Sequence, residues 1–182
     1  GRPGRGCLRS PRSEHRLSRT VTQVYLGLGS NIDPAANLRL AVTELQRRFW
    51  EIELSPVYSG PAIGFEGDDF LNMVVGLQTA LSPRAILDVI ADLHRLARRE
   101  RGGDKLGPRT LDIDLLLYGC LVVDDPGQEL PRPDVLQYAF VLRPLADIAA
   151  EFRHPSTGRT IGEHWHDFDA VSQPLQRVEI PL

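Results

Sequence analysis

Apolar side chains alternate with small or polar ones through residues 23–29, QVYLGLG, and this β-prone run predicts a first strand that ends in Gly29, Ser30 and Asn31. The period then changes. Leu38, Ala41, Val42 and Leu45 share one helical face, and Asp33 followed by Pro34 supplies a cap and a first-turn proline, so a helix begins there. Ile52 and Leu54 alternate with Glu51 and Glu53 in a second strand over residues 49–58. Residues 59–68, SGPAIGFEGD, read as a glycine-rich loop, and residues 70–77 as a third strand pairing with the second across it. Ser82 and Pro83 open a second helix with the stripe Ile86, Leu87, Ile90, Leu93 and Ala97. A charged loop at residues 98–109 leads to a fourth strand at residues 111–118. The order βαββαβ is that of a ferredoxin-like α+β sandwich. Residues 119–182 read as a C-terminal extension with a short helix near residues 144–150 and a tail whose pattern assigns no element.

At 182 residues, 42% hydrophobic and 25% charged, the chain suits one buried core. The net charge of −3 is uneven: residues 1–20 hold six arginines and Glu14, or +5, which leaves −8 for the rest. Such a body disfavours nucleic acid as a partner, and no apolar run reaches the roughly 18 residues of a membrane span. Residues 1–20 have little to bury and are expected to be a disordered basic tail or a vector-derived remnant, with residues 21–182 as a single domain. Two cysteines, Cys7 and Cys120, make no disulfide framework, so a reducing cytoplasm is expected.

The segment 107–119, GPRTLDIDLLLYG, carries the chemistry. On a strand, Asp112 and Asp114 project from the same face, where two like charges repel unless a cation or a proton intervenes. Oxygen-only donors suit Mg²⁺ completed by phosphate oxygens and water. The adjacent loop bears Arg98, Arg99, Arg101, Lys105 and Arg109, the forked donors a polyphosphate needs. Two solvated aspartates beside a solvated basic loop remain the plain alternative.

GPRTLDIDLLLYG resembles the signature of the 6-hydroxymethyl-7,8-dihydropterin pyrophosphokinases of folate biosynthesis. YLGLGSN at 25–31, SPVYSGPAIG at 55–64, DFLNMVVGL at 69–77 and AFVLRPLADIA at 139–149 follow that family in order. The resemblance implies transfer of pyrophosphate from ATP to the pterin hydroxymethyl group, with release of AMP and with two Mg²⁺ ions accompanying ATP. It implies Asp112 and Asp114 as metal ligands and, with Arg99 and Arg109, as catalytic residues. It places the nucleotide on Arg99, Arg101, Arg109, Leu115 and Arg132, and the pterin on Gly60, Pro61, Ile63, Phe70, Asn72 and Phe140. An amide that donates and accepts in one plane, between aromatic rings, is what a flat heterocycle with polar edges needs. The enzyme is expected to act as a monomer.

The departures from that family fall on the nucleotide side. Leu106 stands for a loop tryptophan, Arg132 followed by Pro133 for a histidine, Tyr138 for an arginine, and Ala91 and His94 for a glutamine and a glutamate. Two readings follow: an active pyrophosphokinase, or a degenerate paralogue that binds a pterin or phosphate ligand as a non-catalytic or regulatory module. An RNA-binding domain of the same fold is disfavoured by the acidic body and by the third-strand sequence. GSN at 29–31 is expected to turn the chain into the first helix.

Overall fold

The computed structural model describes residues 21–61, 69–99, 111–125 and 128–182. In chain order these form β1 (Thr22–Ser30), α1 (Pro34–Arg48), β2 (Ile52–Leu54), β3 (Val57–Gly60), β4 (Phe70–Thr79), α2 (Pro83–Arg99), β5 (Asp112–Tyr118), α3 (Asp134–Gln137), α4 (Ala139–Ala149), α5 (Ile161–His166) and β6 (Gln176–Val178). The sheet runs β5-β1-β4-β3-β6, with β2 beside β4, and all its pairings are antiparallel.

Alternation along β1 divides the molecule into layers. Val24, Leu26 and Leu28 face α1 and α2, where they pack with Leu38, Leu45, Ile86 and Leu93. Each aliphatic side chain buried there contributes about 1.5–3 kcal/mol. Tyr25 points the other way, into a second cluster with Val74, Leu142, Leu145 and Ile161. The C-terminal extension is therefore a third layer: α4 and α5 cover the far face of the sheet, and β6 adds a strand beside β3.

Several boundaries differ from the sequence expectation, each for a local reason. The second strand is broken at Ser55 and Pro56, because proline has no N–H for the ladder. Ser55 bridges the break: its N–H donates to Val74 O at 3.0 Å, and its Oγ accepts from Val74 N at 2.8 Å. In β5, Leu26 faces Leu115 and Tyr25 faces Leu117, so Leu116 is an extra residue. This bulge sends both Leu116 and Leu117 to the second cluster, while Ile113 and Leu115 face the first. Gly29 and Ser30 do not turn the chain, since β1 runs through them. Asp33 takes a left-handed conformation (φ 40°, ψ 51°), and its side chain does not cap α1. Instead Asn37 reaches back, donating to Ser30 Oγ at 3.0 Å and Ile32 O at 2.8 Å. α2 continues to Arg99, into the expected loop.

Two stability predictions follow. Ser55→Ala leaves the buried Val74 N–H without its acceptor and should cost about 1–3 kcal/mol in urea unfolding; no loss would mean that water or a backbone shift replaces the hydroxyl. The second concerns His154, which is 5% exposed, with no hydrogen-bond partner for Nδ1 among the described residues. Burial, helped by the nearby His164, holds its pKa below the ordinary 6.5. The unfolded chain then takes up the proton first, so stability is full above pH 6.5 and falls as pH drops through the depressed folded value. His154→Leu should flatten this slope in thermal melts between pH 7.5 and 5, with a remainder from His164, also depressed by burial. An unaltered slope would assign it elsewhere.

Candidate active site

On the far face of the sheet, one end is left uncovered by α4 and α5, and strand register determines what lies there. Gly29 on the central strand faces Asn72 of β4 on one side and Asp112 of β5 on the other. One step along, Gly27 lies between Val74 and Asp114. Two glycines thus leave the middle of the floor bare between an amide strand and an acidic strand. A Cβ on Gly29 would fall 2.9 Å from Asn72 Oδ1, and one on Gly27 would fall 3.3 Å from Leu116. Bulk at either position would crowd the floor.

Above this floor is a cavity of about 230 Å³, lined by Gly27, Gly29, Pro61, Phe70, Asn72, Asp112, Asp114, Arg132, Asp134 and Phe140, among others. Tyr138 stacks on Phe140 with ring centroids 5.1 Å apart and planes 15° apart, bracing that ring. Asn72 is 8% exposed and opens onto the cavity.

Arg132 forms one wall. Its Nη1 lies 3.2 Å from Asp114 Oδ1, and its Nε and Nη2 donate to Asp134 Oδ2 at 3.0 and 2.5 Å. Its own N–H donates to Leu116 O at 3.0 Å, tying the segment to β5. Burial works against the guanidinium charge, but the bond to Asp134 and the fields of Asp114, Asp134 and Asp112 outweigh it and push its pKa up. On the other side lies a second cavity of about 610 Å³, with Ser82, Leu87, Leu115, Leu121 and Leu130 in its lining, which shares Asp114, Arg132 and Asp134 with the first. β5 is an edge strand, so this second space wraps around the edge of the sheet.

At that edge, β5 has no neighbouring strand among the described residues to take its outward N–H groups. His94 of α2 takes one of them: Ile113 N donates to His94 Nε2 at 3.0 Å. An accepting Nε2 leaves the proton on Nδ1, so the ring serves in its neutral form. The backbone between the two aspartates is thereby fixed from the helix layer.

Of the residues expected at the site, Pro61, Phe70, Asn72, Asp112, Asp114, Arg132 and Phe140 line the first cavity, and Leu115 and Pro133 the second. Gly60 stands apart in β3, where an added Cβ would meet Leu175 at 2.7 Å. Arg99 ends α2, and Ala91 is exposed on that helix. Ile63, Arg101, Leu106 and Arg109 lie outside the described residues. The pattern reading missed Gly27, Gly29 and Asp134, and gave His94 no contact. For the glycines the signal was present, as two of them two apart within a strand mark close backbone approach. No sequence signal points to Asp134 or to the His94 bond.

A sequence model of the family described as 7,8-dihydro-6-hydroxymethylpterin-pyrophosphokinase (HPPK) matches residues 25–150. The 2-amino-4-hydroxy-6-hydroxymethyldihydropteridine pyrophosphokinase of Methylorubrum extorquens is 40% identical over 163 residues, covering 87% of this chain and 100% of its own length. That of Aquifex aeolicus is 38% identical over 138 residues, covering 74% and 85%. Among solved structures, the Plasmodium falciparum HPPK-DHPS wild type with pterin and p-hydroxybenzoate superposes with a TM-score of 0.66 at 15% identity, over 81% of this chain and 43% of that one. The chain thus spans less than half of that longer protein, and the likeness is one of fold: an α+β domain with an antiparallel sheet.

His94→Ala should expose the Ile113 amide. Losing one hydrogen bond of about 1 kcal/mol speeds its hydrogen exchange roughly fivefold, with distant β4 amides unchanged. Equal protection in the variant would show that another acceptor holds the strand.

Proposed function

The chain belongs to the 7,8-dihydro-6-hydroxymethylpterin-pyrophosphokinase family, and from that premise we propose how its two cavities divide the reaction. The activity is pyrophosphoryl transfer from ATP to hydroxymethyldihydropterin in folate biosynthesis. The pterin occupies the smaller cavity, its plane between Phe70 and Phe140, and its polar edge on the Asn72 amide. The nucleotide occupies the larger one, its base among Leu87, Leu115 and Leu121, and its phosphates toward Asp114 and Arg132. The observation that supports this division is that the acidic pair and Arg132 stand where the two spaces meet. The sheet with α1 and α2 is assigned as the ferredoxin-like sandwich, and α3 to α5 as the layer that closes the pterin side.

The donor set suits Mg²⁺. Asp112 and Asp114 offer only oxygen, both are half-exposed, and among the described residues no cluster of three or more His, Cys, Asp or Glu side chains forms a full protein cage. Magnesium in that setting would be completed by phosphate oxygens and water, and the family reading carries two ions with ATP. When bound, it would neutralise phosphate charge and polarise the phosphoryl group under attack. The protein's own part is positional. Phe70, Phe140 and Asn72 orient the heterocycle so that its hydroxymethyl oxygen is directed at the β-phosphorus. That oxygen bonds to the β-phosphorus as the bond to the α-phosphate bridging oxygen breaks; AMP leaves with that electron pair, and the hydroxyl proton passes to solvent. Arg132, with Arg99, Arg101 and Arg109, supplies positive charge for the phosphates.

Cys120 is an exposed free thiol, which suits a reducing cytoplasm. No helix among the described residues is long and apolar enough to cross a membrane.

AMP formation from ATP, Mg²⁺ and 6-hydroxymethyl-7,8-dihydropterin tests this reading. Asp112→Asn and Asp114→Asn should each lower kcat by about 10² or more, with the far-UV circular dichroism of the parent. Undiminished turnover in either variant would remove that aspartate from the metal site. Asn72→Leu should weaken pterin binding while sparing that of an ATP analogue; equal loss of both would overturn the division of the cavities.

A further inference from the structure

Arg132 does more at this site than line it. Its fork spans two carboxylates: Nη1 lies 3.2 Å from Asp114, while Nε and Nη2 hold Asp134. Asp114 thus already has a cation, and this cation belongs to the protein. Arg132 and the two carboxylates it joins are also, among the described residues, the side chains common to the linings of both cavities. The reaction needs an oxygen from the first cavity to reach a phosphorus in the second, so whatever stands between them must move or be part of the path.

We propose that Arg132 is a resident counter-cation for Asp114 and the partition between the two cavities, released from Asp114 when a divalent cation arrives and retained on Asp134. This rests on the reading of Asp112 and Asp114 as the metal carboxylates. Three features support an exchange rather than a fixed ion pair. The contact to Asp114 is the longer one, at 3.2 Å against 2.5 and 3.0 Å to Asp134, so the guanidinium has an anchor independent of Asp114. Both side chains of the breakable pair are about one-third exposed, at 37% and 36%, so breaking the pair has a small cost in a solvated setting. The backbone of Arg132 is fixed on Leu116, so a side-chain rotation would suffice with no loop movement. Arg132 places a positive charge on one of two carboxylates that share a strand face, and its field reaches the other, so a metal must compete with the guanidinium for Asp114. The consequence is selective. A bare divalent ion binds weakly, and an ion arriving with a polyphosphate is favoured because the displaced guanidinium then gains a phosphate partner.

The test is Mn²⁺ binding to the full chain without nucleotide, followed by electron paramagnetic resonance of the free ion. Arg132→Ala and Arg132→Gln should each bind Mn²⁺ roughly twofold to fivefold more tightly than the parent, the strength of one partly solvated ion pair. Two substitutions guard against one that fails to fold, and near-ultraviolet circular dichroism checks both. In the parent, ¹⁵N resonances of the Arg132 guanidinium should shift on saturation with Mg²⁺, and they should not shift in Asp114→Asn. Unaltered or weaker Mn²⁺ affinity in the well-folded Arg132 variants, or stationary Arg132 resonances in the parent, would overturn the exchange. Asp114→Asn separates the two layers of inference. If it binds Mn²⁺ as the parent does, the metal assignment fails and the exchange with it; if it loses binding while the Arg132 variants match the parent, the exchange alone fails.

Discussion

The site depends on a steric constraint at the centre of the sheet. Asn72 Oδ1 occupies space that a side chain on Gly29 would need, and across the same strand lies Asp112. Only a bare backbone in β1 lets an amide from one neighbouring strand and a carboxylate from the other share an open floor. The opposite face of β1 has the reverse requirement, and Val24, Leu26 and Leu28 fill it. One strand therefore anchors the core with one face and makes room for ligands with the other. The period of two in its sequence encodes both tasks.

The second determinant is electrostatic. Asp112 and Asp114 lie on a half-exposed edge, where carboxylates cost little individually but repel as a pair. Arg132 meets part of that repulsion from outside the strand, and its segment reaches the acids because its backbone bonds to β5. The short helix α3 begins two residues later and supplies Asp134, which orients the fork. The C-terminal layer thus contributes to the acidic site directly, as well as burying the far face of the sheet.

What was legible in the sequence was what periodicity encodes. The order of strands and helices, the helix stripes from Leu38 to Leu45 and from Ile86 to Ala97, and the common face of Asp112 and Asp114 all follow from periods of 2 and 3.6. Contacts between distant segments were not legible. The bulge at Leu116 is visible only when β5 is paired with β1, since LLLY reads as an unbroken apolar run. The break at Pro56 carries a signal, but its repair by Ser55 Oγ needs Val74 in place. The C-terminal residues from 119 onward have short elements whose apolar residues match a surface formed by Tyr25, Val74 and Leu117, and no local period reveals that surface. The same limit applies at the site, where Phe70, Asn72 and Phe140 are expected from family resemblance more than from pattern.

The residues that depart from the family are informative for this reason. Read as isolated substitutions, His94, Arg132 and Tyr138 suggest erosion of the nucleotide side. In the fold each has a defined partner close to the reacting groups: His94 takes the N–H between the aspartates, Arg132 joins Asp114 to Asp134, and Tyr138 stacks on Phe140. Erosion would leave such positions without consistent contacts, because random change at a released site has no reason to preserve hydrogen-bond geometry or ring stacking. Three substitutions that each acquire a matching partner, around an acidic pair, are better explained by a site still under the demands of catalysis. The non-catalytic alternative would also have to explain why a binding module keeps two carboxylates whose repulsion a guanidinium must offset.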